Sequence, residues 1–222
     1  MKAIILAGGR GKRLRPITDY VPKPLISIKN IPIIEWQIKY LKKYGISEVI
    51  ICSGYKAKII ENYLENKKLG IKIIFSTENK PLGTGGAIKK AGKKIKDNSF
   101  IVINGDIITN IDLKKLLEKE NSIASIQLRT KFGILQTDED KVMKFDEKKE
   151  IKNIWMNAGI YNLKKETIKK LPTVGDIEKT LFPAYAKKEK LSTVKFRNTK
   201  WYSIDSYKDI EECSLVIEKI IK

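Results

Sequence analysis

The sequence predicts an α/β fold with a mostly parallel central sheet flanked by helices, and three observations carry that expectation. Short apolar runs alternate with amphipathic stretches from the second residue onward, the order that successive βαβ units produce. The first run, Lys2 to Leu6, passes directly into a glycine-rich turn, Gly8-Gly9-Arg10-Gly11, where a backbone free of side chains can approach an anion. Past residue 120 the runs shorten and turns separate them, so the second half is expected to be mixed β structure. With 222 residues, 42% hydrophobic and 32% charged, the chain can bury one substantial core. A single domain, 1–222, is expected, with halves 1–120 and 121–222.

Each element has a local reason. After the strand Lys2 to Leu6, a helix is expected from Pro32 to Tyr44. Pro32 suits a first helical turn, Ile34, Ile38 and Leu41 fall on one face, and Gly45 can stop the helix. The alternation continues with a strand Glu48 to Cys52, a helix Lys56 to Glu65, a strand Ile71 to Ser76, a helix Thr84 to Ile95 and a strand Phe100 to Asn104. Beyond a helical stretch Leu113 to Glu120, shorter strands are predicted at Ser122 to Arg129, Gly133 to Thr137, Lys141 to Asp146 and Trp155 to Leu163. A last helix, Ser206 to Ile221, carries Ile210, Cys213, Ile217 and Ile220 on one stripe. No hexapeptide-repeat β-helix domain is expected beyond it.

Composition narrows the chemistry. The 45 Lys+Arg against 26 Asp+Glu give a net charge of +19. The excess is mostly lysine, paired on predicted helix faces (42–43, 89–90, 93–94, 114–115, 187–188) without interleaved aromatics. That pattern reads as a solvated, thermophile-like surface and not as a nucleic-acid groove, although its field would draw in a polyanionic small substrate. Histidine is absent, which disfavours triad hydrolases and most zinc or haem chemistry. Arginine, lysine, carboxylates and an oxygen-ligated ion such as Mg²⁺ remain. Cys52 and Cys213 sit in apolar patterns and are expected to be buried thiols. No apolar stretch is long enough to span a bilayer and the N-terminus has the reverse order of a signal peptide, so no membrane role and a cytoplasmic location are expected. The sequence leaves a monomer or a homo-oligomer equally open.

The spacing GGxGxR at Gly8 to Arg13 matches neither GxGxxG nor the Walker pattern. The longer run LAGGRGKRLRPITDYVPKPL, however, resembles the signature LAGGxGxRLxPxTxxxPKPL of the sugar-nucleotide pyrophosphorylases, a nucleotidyltransferase family. Later stretches fall in that family's order. Pro81-Leu82-Gly83-Thr84-Gly85-Gly86-Ala87 resembles its base-contacting PLGTGGA segment, and Asn104-Gly105-Asp106 its metal site at a strand end. Phe132-Gly133-Ile134 with Phe145-Asp146-Glu147-Lys148 resembles YGV...FxEKP, and Asn157-Ala158-Gly159-Ile160-Tyr161 its sugar-binding strand. Taken singly, Asp106 is a turn former, Lys23 a loop residue, and Trp36, Trp155 and Trp201 core or pocket-wall aromatics. Their joint order carries the functional reading.

The resemblance implies a Rossmann-like sheet followed by a mixed β sugar-binding part, and transfer of a nucleotidyl group from a nucleoside triphosphate to a sugar 1-phosphate with Mg²⁺. Its wording is closest to mannose and heptose 1-phosphate guanylyltransferases, which favours GTP. The sugar phosphate brings an ionised oxygen, so no general base is required and the missing histidines fit. On this resemblance Leu6, Ala7, Gly8, Gly9, Gly11, Gly83 and Thr84 bind the nucleotide, and Arg13, Lys23 and Asp106 are catalytic. Gly133, Glu147, Lys148, Asn157 and Gly159 bind the sugar phosphate, and Asp106 with Asp205 holds the metal. Two departures stand out. Lys149 replaces the family's proline after Glu147-Lys148, and the C-terminal metal motif reads Trp201-Tyr202-Ser203-Ile204-Asp205. One register puts Ser203 at the ligand position and another Asp205; residues two apart on a strand share a face, so Asp205 can reach the ion in either case. Alternatives are transfer to phosphocholine or another phosphorylated alcohol, and a non-catalytic subunit sensing nucleotide or sugar phosphate.

Overall fold

A computed structural model describes residues 1–130, 132–147 and 150–221, apart from the side chains of Glu150 and Lys152. Lys148, expected to bind the sugar's phosphate, lies outside the described residues. In chain order the strands are β1 (Lys2–Ala7), β2 (Ser27–Ile28), β3 (Ile31–Pro32), β4 (Glu48–Ser53), β5 (Lys72–Phe75), β6 (Ser99–Asn104), β7 (Ile107–Thr109), β8 (Ser122–Arg129), β9 (Gly133–Asp138), β10 (Lys141–Glu147), β11 (Glu150–Lys164), β12 (Ser192–Phe196) and β13 (Trp201–Ser203). The α-helices are α1 (Ile17–Tyr20), α2 (Ile33–Lys43), α3 (Ala57–Glu65), α4 (Gly83–Gly92), α5 (Leu113–Leu117), α6 (Leu181–Ala186), α7 (Tyr207–Ser214) and α8 (Ile217–Ile220).

Seven strands form the central sheet in the order β12-β8-β11-β6-β1-β4-β5. β6, β1, β4 and β5 run parallel, β12 runs parallel to β8, and β11 is antiparallel to both of its neighbours. The sheet is therefore Rossmann-like and mostly parallel, with one reversed strand supplied by the second half. Both faces are buried, which is why the strands read as continuous apolar runs. Ala3, Ile5, Val49, Ile51, Ile101 and Ile103 face the cluster containing α2 and α3. Ile4, Ile50, Phe100 and Val102 face the other, with Ile88 of α4 and Phe182 of α6.

Helix α2 begins one residue later than expected, because Pro32 stands at its N-cap with extended ψ and not in the first turn. Its end is the expected one. Gly45 at φ +75 allows Gly45 N–H to reach Lys42 O (3.0 Å) and Ile46 N–H to reach Leu41 O (3.3 Å), a Schellman closure. The last helix is not continuous: it breaks after α7, where Val216 leaves helical geometry and Leu215 is left exposed. The break lets Cys213, Ile217 and Ile220 all pack into the core. β11 starts earlier than predicted and runs 15 residues, with register shifts against β8 on either side of Trp155–Asn157. β12, β7, β13 and α6 carry no distinct pattern in the sequence; β12 is a largely exposed edge strand.

At the start of the sheet, Lys2, Glu48 and Lys72 lie in register across β1, β4 and β5. Glu48 is buried and pairs with Lys2 and, at 3.1 Å, with Lys72. The hydrogen bond from Lys2 holds the Glu48 carboxyl below its ordinary range, against the opposing effect of burial and with help from Lys72. A lowered folded value means stability that is present above the unfolded carboxyl value near ~4.3 and lost as pH falls through the folded one. Thermal unfolding of Glu48→Gln is therefore expected to fall below wild type above pH 5 and to converge with it toward pH 3. A difference independent of pH would show that the ion pairs contribute nothing.

Candidate active site

Open α/β sheets bind ligands where the chain reverses its direction of strand addition. Here the chain adds β4 and β5 on one side of β1 and then returns to place β6 on the other. The carboxyl ends of β1 and β6 open together onto a cleft of about 510 Å³. Gly105 N–H donates to Leu6 O at 2.9 Å across that opening. A Cβ on Gly105 would lie 2.3 Å from the same oxygen, so no side chain fits.

The loop leaving β1 is pinned at several points. Gly11 sits at φ +60, and its carbonyl accepts from Leu14 N (2.9 Å) and Thr18 Oγ1 (3.0 Å). Tyr55 N–H donates to Gly8 O (3.1 Å), and Tyr55 Oη donates to Thr18 O (3.0 Å). A Cβ on Gly8 would meet Glu78 Oε1 at 2.7 Å, whereas one on Gly9 would meet nothing within 4 Å. Leu6, Ala7, Gly8, Gly9 and Gly11, the residues expected to bind the nucleotide, all line the cleft.

Four charged side chains converge there. Lys23, in the 3-10 turn Lys23–Leu25, donates from Nζ to Asp106 Oδ2 (2.7 Å) and to Asp205 Oδ1 (2.8 Å). Arg13 Nη2 lies 2.9 Å from Asp205 Oδ1, its side chain three-quarters exposed (75%). Burial opposes ionisation of Asp205, but Lys23, the Ser203 hydroxyl and Arg13 outweigh it and keep the carboxyl below its usual range. Asp205 does not sit on a strand face with Ser203, because β13 ends at Ser203. It arrives by a turn in which Ile204 N–H donates to Asp106 O (3.0 Å) and Asp205 N–H to Asp209 Oδ2 (3.0 Å). Ser203 Oγ donates to Asp205 Oδ2 at 2.9 Å, so the serine supports the aspartate. The two carboxylates meet at Lys23 Nζ, and as hard oxygen donors they are of the kind that suits Mg²⁺, which takes one or two protein carboxylates and fills its remaining positions with phosphate and water. Among the described residues no cluster of three or more acidic, histidine or cysteine ligands exists.

The glycine-rich start of α4 meets both the cleft and a later segment of the chain. Gly83, at φ +74, and Thr84 line the cleft. The Thr84 hydroxyl, however, donates to Glu178 Oε2 (2.5 Å) and accepts from Ile177 N (2.9 Å). Gly85 and Gly86 N–H both donate to Gly175 O, at 2.9 and 3.2 Å. These glycines admit the passing segment 172–176: a Cβ on Gly86 would lie 2.5 Å from Thr173 O. On the reversed strand, Asn157 is held by Gly159 N–H donating to its Oδ1 (2.8 Å) and by its own donation to Tyr161 Oη (2.9 Å). Gly159 sits at φ +71, and a Cβ there would meet Asn104 Nδ2 at 2.8 Å. Gly133 and Glu147 pair with each other on the ribbon β9–β10 and do not line the cleft. Trp36 and Trp201 serve the interior by donating to Ile28 O and Ala158 O, while Trp155 lies under Lys195 and Arg197.

Sequence reasoning missed Glu78. It lines the cleft between Gly8 and Pro81, and burial raises its carboxyl above the ordinary range although Leu82 N–H donates to it at 3.2 Å. A lone Glu after a strand has no signature of its own. Asp176, another lining residue, comes from the segment that covers α4.

The chain matches the family model described as nucleotidyl transferase over residues 2–219. It is 41% identical over 169 residues to a D-glycero-alpha-D-manno-heptose 1-phosphate guanylyltransferase of Aneurinibacillus thermoaerophilus, covering 72% of this chain and 74% of that one. Identity is 44% over 171 residues to the Campylobacter jejuni protein of the same name, covering 75% and 77%. Among solved structures, HddC from Yersinia pseudotuberculosis superposes with a TM-score of 0.77 at 30% identity, covering 96% of this chain and 98% of that one. Its complex with GMP-PN gives 0.76 at 29% identity over the same coverage.

The two loop glycines are expected to separate packing from ligand contact. Gly105→Ala should cost about 1–3 kcal/mol from overpacking, a fall of roughly 2–12 °C in thermal midpoint for a chain this long. Gly9→Ala should unfold within about 0.5 kcal/mol of wild type, so any loss of nucleotide affinity in it reports contact with ligand. Equal midpoints for the two variants would contradict the placement of Gly105 against Leu6.

Proposed function

Given that the chain belongs to the nucleotidyl transferase family, we propose that it transfers the guanylyl group of GTP to a heptose or mannose 1-phosphate, releasing pyrophosphate. The observation that carries this reading is the convergence of Lys23, Arg13, Asp106 and Asp205 where β1 and β6 end. An ionised oxygen of the sugar phosphate attacks the α-phosphorus; the bond from that phosphorus to the α,β-bridging oxygen breaks, and the electron pair leaves on pyrophosphate. No proton has to move. The protein's task is alignment and charge stabilisation.

Lys23 would carry that task at the α-phosphate, exchanging one of its carboxylate partners for a phosphate oxygen. The backbone from Gly8 to Gly11 would cradle the triphosphate, and Arg13 would turn from Asp205 to the β and γ phosphates and hold the leaving charge. Asp106 and Asp205 would hold Mg²⁺, which when bound neutralises phosphate oxygens. Glu78 supplies a reason for GTP. Guanine presents N1–H and N2–H side by side, a pair that a carboxylate accepts, whereas adenine offers an acceptor at N1. On the sugar side Asn157, with a remaining amide hydrogen, and Gly159 would face the sugar, and Gly133 and Glu147 would meet its hydroxyls from the ribbon, with Lys148 on its phosphate.

Pyrophosphate release is to be measured with GTP, ATP, UTP, dTTP and CTP against a panel of sugar 1-phosphates and phosphocholine, with Mg²⁺. GTP with heptose or mannose 1-phosphate should give the highest kcat/KM; turnover in no combination by a folded protein would sink the reading. Arg13→Ala and Asp106→Asn should each lower kcat by roughly 100- to 1,000-fold with little change in melting. Glu78→Gln should lower kcat/KM for GTP by roughly 10- to 100-fold and for inosine triphosphate, which lacks the 2-amino group, by less. An unchanged GTP preference in Glu78→Gln would remove this residue from base selection.

A further inference from the structure

We propose that Gln37 is a positioning residue, whose side-chain amide clamps both ends of the turn carrying Asp106. On α2 it is surrounded in sequence by Ile33, Ile34, Trp36, Ile38 and Leu41, all buried, and is itself only 1% exposed. Its Nε2 donates to Asn104 O at 2.8 Å and to Ile107 O at 3.0 Å. Both partners are carbonyls, so the nitrogen must face them and the orientation of the amide is decided by chemistry.

Those two carbonyls bracket Gly105 and Asp106. β6 ends at Asn104 and β7 begins at Ile107, so the chain is leaving the central sheet for a two-stranded one and this turn has no regular ladder of its own. Its other ties are Gly105 N–H to Leu6 O and Ile204 N–H to Asp106 O. One amide from a different layer thus closes the turn from below, while β1 and the residue preceding Asp205 hold it from the sides. The Oε1 of Gln37 is buried with no hydrogen-bond partner among the described residues, as is Oδ1 of Asn104. A buried acceptor without a partner is destabilising, and a leucine or methionine would pack among these isoleucines without it. What a hydrophobic residue lacks is the pair of donors for the two carbonyls. With them the Asp106 carboxylate stays directed at Lys23; without them the turn relaxes and the carboxylate is misplaced.

The consequence for catalysis rests on the proposed role of Asp106, so the first measurement does not use the reaction. In ligand-free Gln37→Met, amide hydrogen exchange at Gly105 and Ile204 should accelerate by roughly ten-fold or more, the combined worth of the two lost hydrogen bonds. Exchange at Ile4 and Val49 in the sheet interior should stay at the wild-type rate. The same variant should lose roughly 100-fold in kcat with GTP, as misplacement by a remote substitution does, while KM for GTP changes less than about three-fold. Wild-type protection at Gly105 and Ile204, or a loss of kcat matched by equal loss of protection throughout the sheet, would overturn the proposal. Should Gln37→Met not fold, Gln37→Asn is read by the same exchange measurement, since its amide is one methylene too short to reach both carbonyls. Absence of GTP turnover in the wild type would count against the proposed activity and leave the exchange rates to decide Gln37.

Discussion

The site depends first on the side-by-side, parallel pairing of β1 and β6. Their register, Ala3 to Leu6 against Ile101 to Asn104, brings the glycine loop and the Asn104–Gly105–Asp106 turn to the same edge of the sheet at the same height. A slip of one residue would turn every buried side chain to the opposite face and move Asp106 along the strand axis by a residue's rise. Burial on both faces makes such a slip prohibitive: Ile4 and Val102 face one core, Ile5 and Ile103 the other. Core packing therefore sets the position of the sheet edge where Lys23, Asp106 and Asp205 meet. Gly105 marks how tight that constraint is, since the backbones of the two strands leave no space for a methyl group between them.

Charge is arranged on this frame without a titrating base. With no histidine in the chain, every charged group at the edge is a lysine, an arginine or a carboxylate. Lys23 is mostly buried and lies between two carboxylates, and Arg13 is mostly exposed and touches one of them. The four charges balance, which limits the cost of keeping them in a half-buried cleft. In the proposed reaction an incoming triphosphate would offer anionic oxygens for which these cations exchange partners, releasing carboxylate oxygens toward Mg²⁺. The overall +19 helps deliver such a substrate but does not locate the site.

The second half of the chain acts on the first by covering it. Segment 172–176 lies over the start of α4, uses Gly175 O to satisfy two of its free N–H groups, and presses close enough that Gly85 and Gly86 can carry no Cβ. Thr84, Glu178, Tyr161 and Asn157 then form a hydrogen-bonded chain from the helix start to the reversed strand. The start of α4 and the reversed strand β11 are thereby joined through side chains, and the glycines of PLGTGGA serve the docking of this segment.

The alternation of strands and helices, the glycine loop, the absence of base chemistry and the residues whose order matches a family were all legible in the amino-acid sequence. These are properties of local periodicity, backbone permissiveness and side-chain chemistry, each contained within a few consecutive residues. Which groups meet was settled by tertiary packing. Lys23 finds Asp106 at a separation of 83 residues and Asp205 at 182, through strand order and register that no local window encodes. The same holds for Ser203, read as a rival for the metal position but turned to support Asp205, and for the broken last helix, where packing of Ile217 and Ile220 overrides an unbroken helical stripe. It holds too for Glu78 and Gln37, an ordinary acid and an ordinary amide in sequence, whose surroundings become special only when distant segments close around them.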